Sequence, residues 1–243
     1  MTTPPPPPAA SSGARPTPPP STFQKLLRAQ RVWDVELPGF DPASAPAAPL
    51  PLFHAWFAEA VAAGQAEPHT MGLATVAEDG GPDVRTVMLH DADGHGWHFA
   101  SHATSRKGRQ LAARPEAALH FYWAAQARQI RIRGRVVTAP HTESLADLHA
   151  RSTGALAAAL VGHQSEVLHS TPELAAASET AWERAQAEPD ADAPTWTLYV
   201  LDPLEAEFFQ GDARRRHVRL RYRKTEQAGA ASGARWTKEL LWP

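Results

Sequence analysis

With 243 residues, 43% of them hydrophobic, and a formal net charge of −2, the chain can bury one sizeable core and has no overall pull toward nucleic acid or anionic membranes. It contains no cysteine, which excludes thiolate nucleophiles, disulfides and cysteine-ligated metals. No apolar run approaches the roughly 20 residues of a membrane span, and the start is proline-rich instead of basic then apolar, so the expectation is a soluble cytoplasmic protein that binds neither membrane nor nucleic acid.

In chain order, "MTTPPPPPAASSGARPTPPPST" (1–22) is low-complexity, and proline lacks the backbone donor that packed elements need, so it reads as a disordered tail. A short patch around Leu26 to Val35 and the loose "ELPGFDPASAPAAP" (36–49) follow. Residues 1–49 are thus read as a disordered or loosely ordered leader and 50–243 as one domain. In "LPLFHAWFAEAVAAG" (50–64) the apolar Leu52, Phe53, Trp56, Phe57, Ala60 and Val61 recur at helical spacing and end at Gly64. The period then changes to that of strands. "MGLATVA" (71–77), "VRTVMLH" (84–90) and "WHFAS" (97–101) are separated by "EDGGPD" and "DADGHG", whose Gly and Asp supply turn angles, which predicts a three-strand meander.

"SRKGRQL" (105–111) predicts a helix capped by Ser105. Arg106 and Lys107 place two cations in its first turn, where the helix dipole favours anions, a mismatch of about 0.3–1 kcal/mol per charge. Two more strands follow, "AALHFYW" (117–123) and "RQIRIRGRVVTA" (128–139), the latter alternating Ile130, Ile132 and Val136 with Gln129, Arg131 and Arg133. Residues 143–187 are alanine-rich and helical in spacing, with breaks near Gly162 and Thr171-Pro172, which predicts two or three helices. "WTLYVLDP" (196–203), "LEAEFFQG" (204–211), "HVRLRYRK" (217–224) and "WTKELLWP" (236–243) return to strand character. Antiparallel turns with strands on both sides of a helical insertion predict a closed or partly closed barrel.

Arg85 lies inside an otherwise apolar strand, where a guanidinium is costly without an anion. Taken singly, Arg85, Arg106 and Arg131 each have a bland reading as solvated or paired surface charges. Together, a helix start with a hydroxyl, a guanidinium and an ammonium suits phosphate. Other site types fit poorly. The twelve histidines include no HExxH, and no metal site is expected. There is no GxGxxG after a strand, no Walker loop and no GxSxG elbow. The basic block "RRRHVRLRYRK" (214–224) is a strand in a chain of balanced charge, which favours a solvated edge over a nucleic-acid site.

The ordered motifs "LATV…VRTVML…F.S….SRKG.QLA..P.AAL.FYW….RQIRI.G.V", "HQSEVL", "LEAEFFQG" and "RHVRLRY" resemble the pyridoxamine 5'-phosphate oxidase family over about residues 50–243. The resemblance implies a mainly β, α+β fold, an antiparallel FMN-binding split barrel with peripheral helices. It also implies a homodimer with the flavin at the subunit interface and O2 as the electron acceptor. By the same resemblance Arg85, Ser101, Arg106 and Lys107 grip the FMN phosphate. Gln129, Gln164, Ser165 and Arg219 touch the flavin ring or its side chain, with Phe209 where the family usually has tryptophan. Arg215 and His217 face the substrate as the candidate catalytic pair, with Val218 replacing an acid between its neighbours. Arg151 matches a substrate-phosphate arginine. His90, Asp147 and Ala155 fall where that phosphate site carries lysine, tyrosine and serine, and a carboxylate there repels phosphate. The dihydrophenazine oxidases of phenazine biosynthesis, similar in the flavin half and altered in the phosphate half, offer one precedent. Three functions stay open: oxidation of a planar nitrogen heterocycle without phosphate, true pyridoxamine/pyridoxine 5'-phosphate oxidation, and a flavin- or heme-binding module without turnover.

Overall fold

The computed structural model describes residues 20–31, 33, 36–225 and 235–243; residues 1–19 of the proline-rich tail lie outside that set. Helix α1 (Thr22–Ala29) opens with a capping box in which Ser21 and Gln24 satisfy each other's backbone donors. Helix α2 (Pro49–Ala62) follows, and Phe40 and Ala45 ahead of it pack on the core. The Tyr222 hydroxyl donates to Pro46 O at 2.9 Å, so the segment before α2 lies against the barrel.

Strands β1 (Thr70–Val76) and β2 (Pro82–Met88) form a hairpin, and β3 (Asp91–Ala92) pairs with β4 (Trp97–His102). Helix α3 (Arg106–Ala113), β5 (Glu116–Trp123) and β6 (Arg128–Thr138) come next. Three helices, α4 (His141–His149), α5 (Thr153–Val161) and α6 (Thr171–Ala187), are inserted before β7 (Trp196–Gln210), β8 (Val218–Thr225) and β9 (Arg235–Leu241). Neighbouring strands run in the order β2-β1-β5-β6-β7-β4-β3, all antiparallel, with β8 and β9 continuing from β7. This is an antiparallel split barrel with peripheral helices, of mixed α+β class.

The predicted meander is instead two hairpins at opposite ends of the sheet: β4 pairs with β7, not with β2. Leu89 and His90 tie the two ends together, their amides donating to His69 O and His98 O at 2.8 Å each. The two runs predicted at 196–203 and 204–211 are one strand, β7. Proline inside a sheet is confined to edges and bulges, and Pro203 sits opposite Gly134 where the β6–β7 register shifts. A Cβ on Gly134 would lie 1.9 Å from Asp202 O, so only glycine lets the bulge close. Pro172 begins α6 at its first turn instead of breaking a helix.

Alternation places Met71, Leu73, Phe99, Leu119, Phe121, Ile130, Ile132 and Phe208 inside the barrel. Helix α2 closes one mouth: Phe53 packs edge-on to Trp97 and Phe121 at 5.5 and 5.2 Å, and Trp56 to Phe208 at 5.3 Å. A smaller core under the inserted helices gathers Leu148, Leu156, Ala157, Ala159, Ala185 and Ala193.

Candidate flavin and substrate site

Strand β4 ends at Ser101 and His102, and the chain turns within three residues into α3. The Ser105 hydroxyl accepts from Gly108 N at 3.1 Å, the cap expected from the sequence. Gly108 is required by the tightness of that turn, because a Cβ would lie 2.3 Å from Ala103 O and 2.5 Å from His102 O. Lys107 folds back under the helix start and is 9% exposed. Its Nζ donates to Ser101 Oγ at 2.9 Å and to Gln164 Oε1 at 3.0 Å, and Ser101 Oγ donates to the same amide oxygen at 2.9 Å. The loop after α5 completes the group as Arg106 N donates to Ser165 Oγ at 3.1 Å.

Arg85 approaches from β2. It donates to Thr75 Oγ1 at 2.6 Å, Leu73 O at 3.1 Å and Gln110 Oε1 at 3.1 Å, and pairs with Asp83 at 2.9 Å. Arg106 Nε reaches the same Asp83 oxygen at 3.0 Å. Two cations therefore share one carboxylate, and among the described residues Lys107 has only neutral partners. Burial, and then the nearby Arg85 charge, holds the Lys107 ammonium below the usual lysine range. A dry ammonium, a hydroxyl pair and helix-start amides with this positive excess form a cradle that fits a phosphate. Thr75, Asp83 and Gln110 were not singled out from the sequence; Asp83 stands two residues from Arg85 on the same strand face, which is the signal that was available.

A second group forms a wall. Gln129, Phe209 and Arg219 are side by side across β6, β7 and β8. They face outward because their neighbours Ile130, Phe208 and Leu220 point into the core. With Arg131, Glu207 and Pro243 they line a cavity of about 230 Å³. Beyond Phe209, the His217 ring lies 5.1 Å from the phenyl ring and 4.9 Å from the Trp33 indole. Arg215 reaches over the same indole at 5.5 Å. His217 Nδ1 accepts from Asp212 N at 3.1 Å, so in the neutral ring the proton sits on Nε2, leaving a donor to face a ligand. Trp33 gave no signal in a leader of loose composition.

A third group joins His90, Asp147 and Arg151. His90 Nδ1 lies 2.9 Å from both Asp147 oxygens, and Arg151 Nε is 3.6 Å from one of them. Burial alone would raise the Asp147 carboxyl, but His90 and then Arg151 hold it below the ordinary range. Ala155 lies in the first turn of α5, its amide donating to Ser152 Oγ at 3.3 Å, and brings no polar side-chain atom. No hydrogen bond or ion pair among the described residues links the three groups to one another. No cluster of metal-ligating side chains occurs among the described residues, and no helix there is long and apolar enough to cross a membrane.

A family model described as pyridoxamine 5'-phosphate oxidase matches residues 57–185, more than half of the chain. The chain belongs to this family. Residues 196–243 match a second model, the pyridoxine 5'-phosphate oxidase C-terminal dimerisation region. A pyridoxine/pyridoxamine 5'-phosphate oxidase of Salinibacter ruber is 41% identical over 196 residues, covering 80% of this chain and 89% of the relative. One of Pseudomonas fluorescens is 40% identical over 208 residues, covering 84% and 93%. Among solved structures, PhzG from Burkholderia lata in complex with tetrahydrophenazine-1-carboxylic acid aligns with a TM-score of 0.75 at 32% identity, over 86% of this chain and 98% of that one. An FMN-binding protein of Nostoc punctiforme shares the fold, with a TM-score of 0.64 at 19% identity, over 84% and 100%.

Proposed function

We propose that this protein is an FMN-dependent oxidase, acting as a homodimer, whose substrate is a small planar nitrogen heterocycle that carries no phosphate. The observation that carries the flavin reading is Lys107, a buried ammonium with no carboxylate partner among the described residues, at a capped helix start. FMN, when bound, would supply the redox chemistry, by which the substrate loses a hydride from a C–H beside nitrogen and a proton, and O2 gains two electrons and two protons to give H2O2. Lys107, Arg85, Arg106 and Ser101 would hold its phosphate, with Gln164 and Ser165 over the helix start. Gln129, Phe209 and Arg219 belong to a wall that, among the described residues, no hydrogen bond or ion pair joins to that cradle, which supports completion of the site by a second copy. The match of residues 196–243 to a dimerisation region supports the same arrangement.

His217, with its proton directed to Nε2, would donate to the polar edge of the substrate while Arg215 offsets charge that develops there. In the third group, Asp147 is hydrogen-bonded to His90 and pairs with Arg151 at 3.6 Å, the Arg151 Nε having no hydrogen-bond partner among the described residues. A substrate phosphate would have to displace or face that carboxylate, at a cost of about 1.5–3 kcal/mol for each charged hydrogen bond it breaks. The likeness to PhzG, whose structure contains a tetrahydrophenazine carboxylic acid, supports a heteroaromatic substrate.

A second reading, oxidation of pyridoxamine or pyridoxine 5'-phosphate, is favoured by the retained Arg151, Arg215 and His217 and by the names of the relatives at 40–41% identity. The deciding experiment records the absorbance spectrum of the purified protein and then peroxide release with pyridoxamine 5'-phosphate beside non-phosphorylated dihydro-heteroaromatics. The proposal expects a flavin spectrum and faster turnover of the latter. Turnover of pyridoxamine 5'-phosphate at micromolar concentration would establish the second reading, and a bound chromophore with no peroxide from any substrate would mark a module without turnover.

A further inference from the structure

Glu207 has an unusual place. It lies on the outer face of the sheet, where Arg133 and Arg223 in the next row are more than half exposed, yet it is only 5% exposed itself. A carboxylate that dry is costly unless it is paired and hydrogen-bonded. The register puts Arg131 and Arg221 directly beside it. Arg221 instead turns to Glu239 on β9, its Nε donating at 3.0 Å. Glu207 is left to Arg131 and, on the diagonal, to Arg219, whose Nε donates to Oε1 at 2.8 Å. The other end of Arg219 is fixed as Nη1 donates to Trp242 O at 2.8 Å. Burial alone would raise the Glu207 carboxyl, but the hydrogen bonds from Arg219 and Arg131 hold it below the ordinary range, so it stays ionised between two guanidiniums.

We propose that Glu207 is the positioning residue of the flavin wall: it locks the Arg219 fork in line with Gln129 and Phe209, and its charge offsets those of Arg131 and Arg219 beside the bound ring. The inference rests on the FMN reading above and deepens it. Without the carboxylate, Arg219 keeps a single anchor at Trp242 O and leaves two cations facing the cavity unbalanced. Electron uptake by a ring beside that excess of positive charge becomes easier, while the ring itself is held less well.

The test uses full-length protein and FMN. Fluorescence titration gives the FMN dissociation constant, a reductive titration gives the midpoint potential of the bound flavin, and thermal unfolding without FMN reports folding. Glu207→Gln is expected to raise the dissociation constant about tenfold and to move the potential in the positive direction. In an Arg219→Met background the same change is expected to add nothing to the drop in affinity. Should Glu207→Gln fail to fold, Arg219→Lys serves instead, because it keeps the charge and removes the fork; an affinity drop of similar size is expected. Wild-type FMN binding with unchanged affinity and potential in Glu207→Gln would overturn this inference alone, as would full affinity in Arg219→Lys or an undiminished Glu207→Gln effect in the Arg219→Met background. A wild-type protein that takes up no FMN would overturn the parent reading and this inference with it.

Discussion

Two clusters of basic side chains in this molecule are satisfied in opposite ways. At the start of α3, Arg85 and Arg106 share Asp83, and Lys107 is buried against a hydroxyl and an amide alone. At the other cluster, Asp147, a carboxylate supplied by the chain itself, is hydrogen-bonded to His90 and forms an ion pair with Arg151 at 3.6 Å. A buried cation without an anion costs folding free energy, and the fold tolerates that cost where a ligand anion offsets it. A cation already paired offers a ligand phosphate little. The contrast separates a group whose buried cation has no carboxylate partner among the described residues from a group that has supplied its own.

The largest effect should come from opening the self-neutralised cluster. Replacing His90, Asp147 and Ala155 together by lysine, tyrosine and serine is expected to raise kcat/KM for pyridoxamine 5'-phosphate about a hundredfold, since each charged hydrogen bond restored is worth about 1.5–3 kcal/mol. Steady-state peroxide assays read this directly, and an unchanged value would mean that Asp147 does not decide substrate choice.

Lys107→Met attacks the other half. We expect FMN to bind about ten- to a hundredfold more weakly, because a charge-assisted hydrogen bond to its phosphate is removed, whereas the FMN-free protein should melt at a higher temperature because a partly unpaired buried charge is gone. Calorimetry with and without FMN separates the two. A variant that loses both affinity and stability would place Lys107 in the scaffold and erase the contrast.

Gly108→Ala keeps every charge and disturbs only the fit. With Ala103 O at 2.3 Å from the new Cβ, α3 must shift, at about 1–3 kcal/mol in unfolding free energy. FMN affinity should fall as the helix start moves off Ser101; denaturant melts and fluorescence titration check both.

The smallest effects are in the pH dependence, where both clusters make stability rise with pH but in separate windows, Asp147 in acid and Lys107 in alkali. Asp147 has its folded pKa lowered from 3.8, so its contribution to stability is fully present above that value and disappears as pH falls through the lower folded one. Asp147→Asn should flatten this acid limb. Lys107 has its folded pKa lowered from 10.5, so the unfolded chain binds the extra proton and stability of the FMN-free protein rises as pH climbs toward 10.5. Lys107→Met should abolish that rise, and FMN at saturation should diminish it in the wild type.

Much of the fold is local enough to be read from the chain. The period-2 runs at Met71–Leu73 and Ile130–Ile132, the Ser105 cap and the apolar stripe of α2 are properties of residues a few positions apart, and the cation-bearing helix start was legible because Ser105, Arg106 and Lys107 are consecutive. Closure was not local. Whether β4 pairs with β2 or β7 depends on residues a hundred positions away, and Pro203 reads as a strand break until Gly134 is placed opposite it. The same holds in the site. Asp147 looked like a carboxylate repelling phosphate, and only folding brings His90, 57 positions earlier, to within 2.9 Å of it. The role of Glu207 likewise depends on Arg219, Arg131 and Glu239 being on three different strands. Residue types and short spacings set which groups carry charge and which face of an element they occupy. Which charge meets which is decided by strand register and by the packing of distant segments, because electrostatic pairing acts over a few ångströms of space and not along the chain.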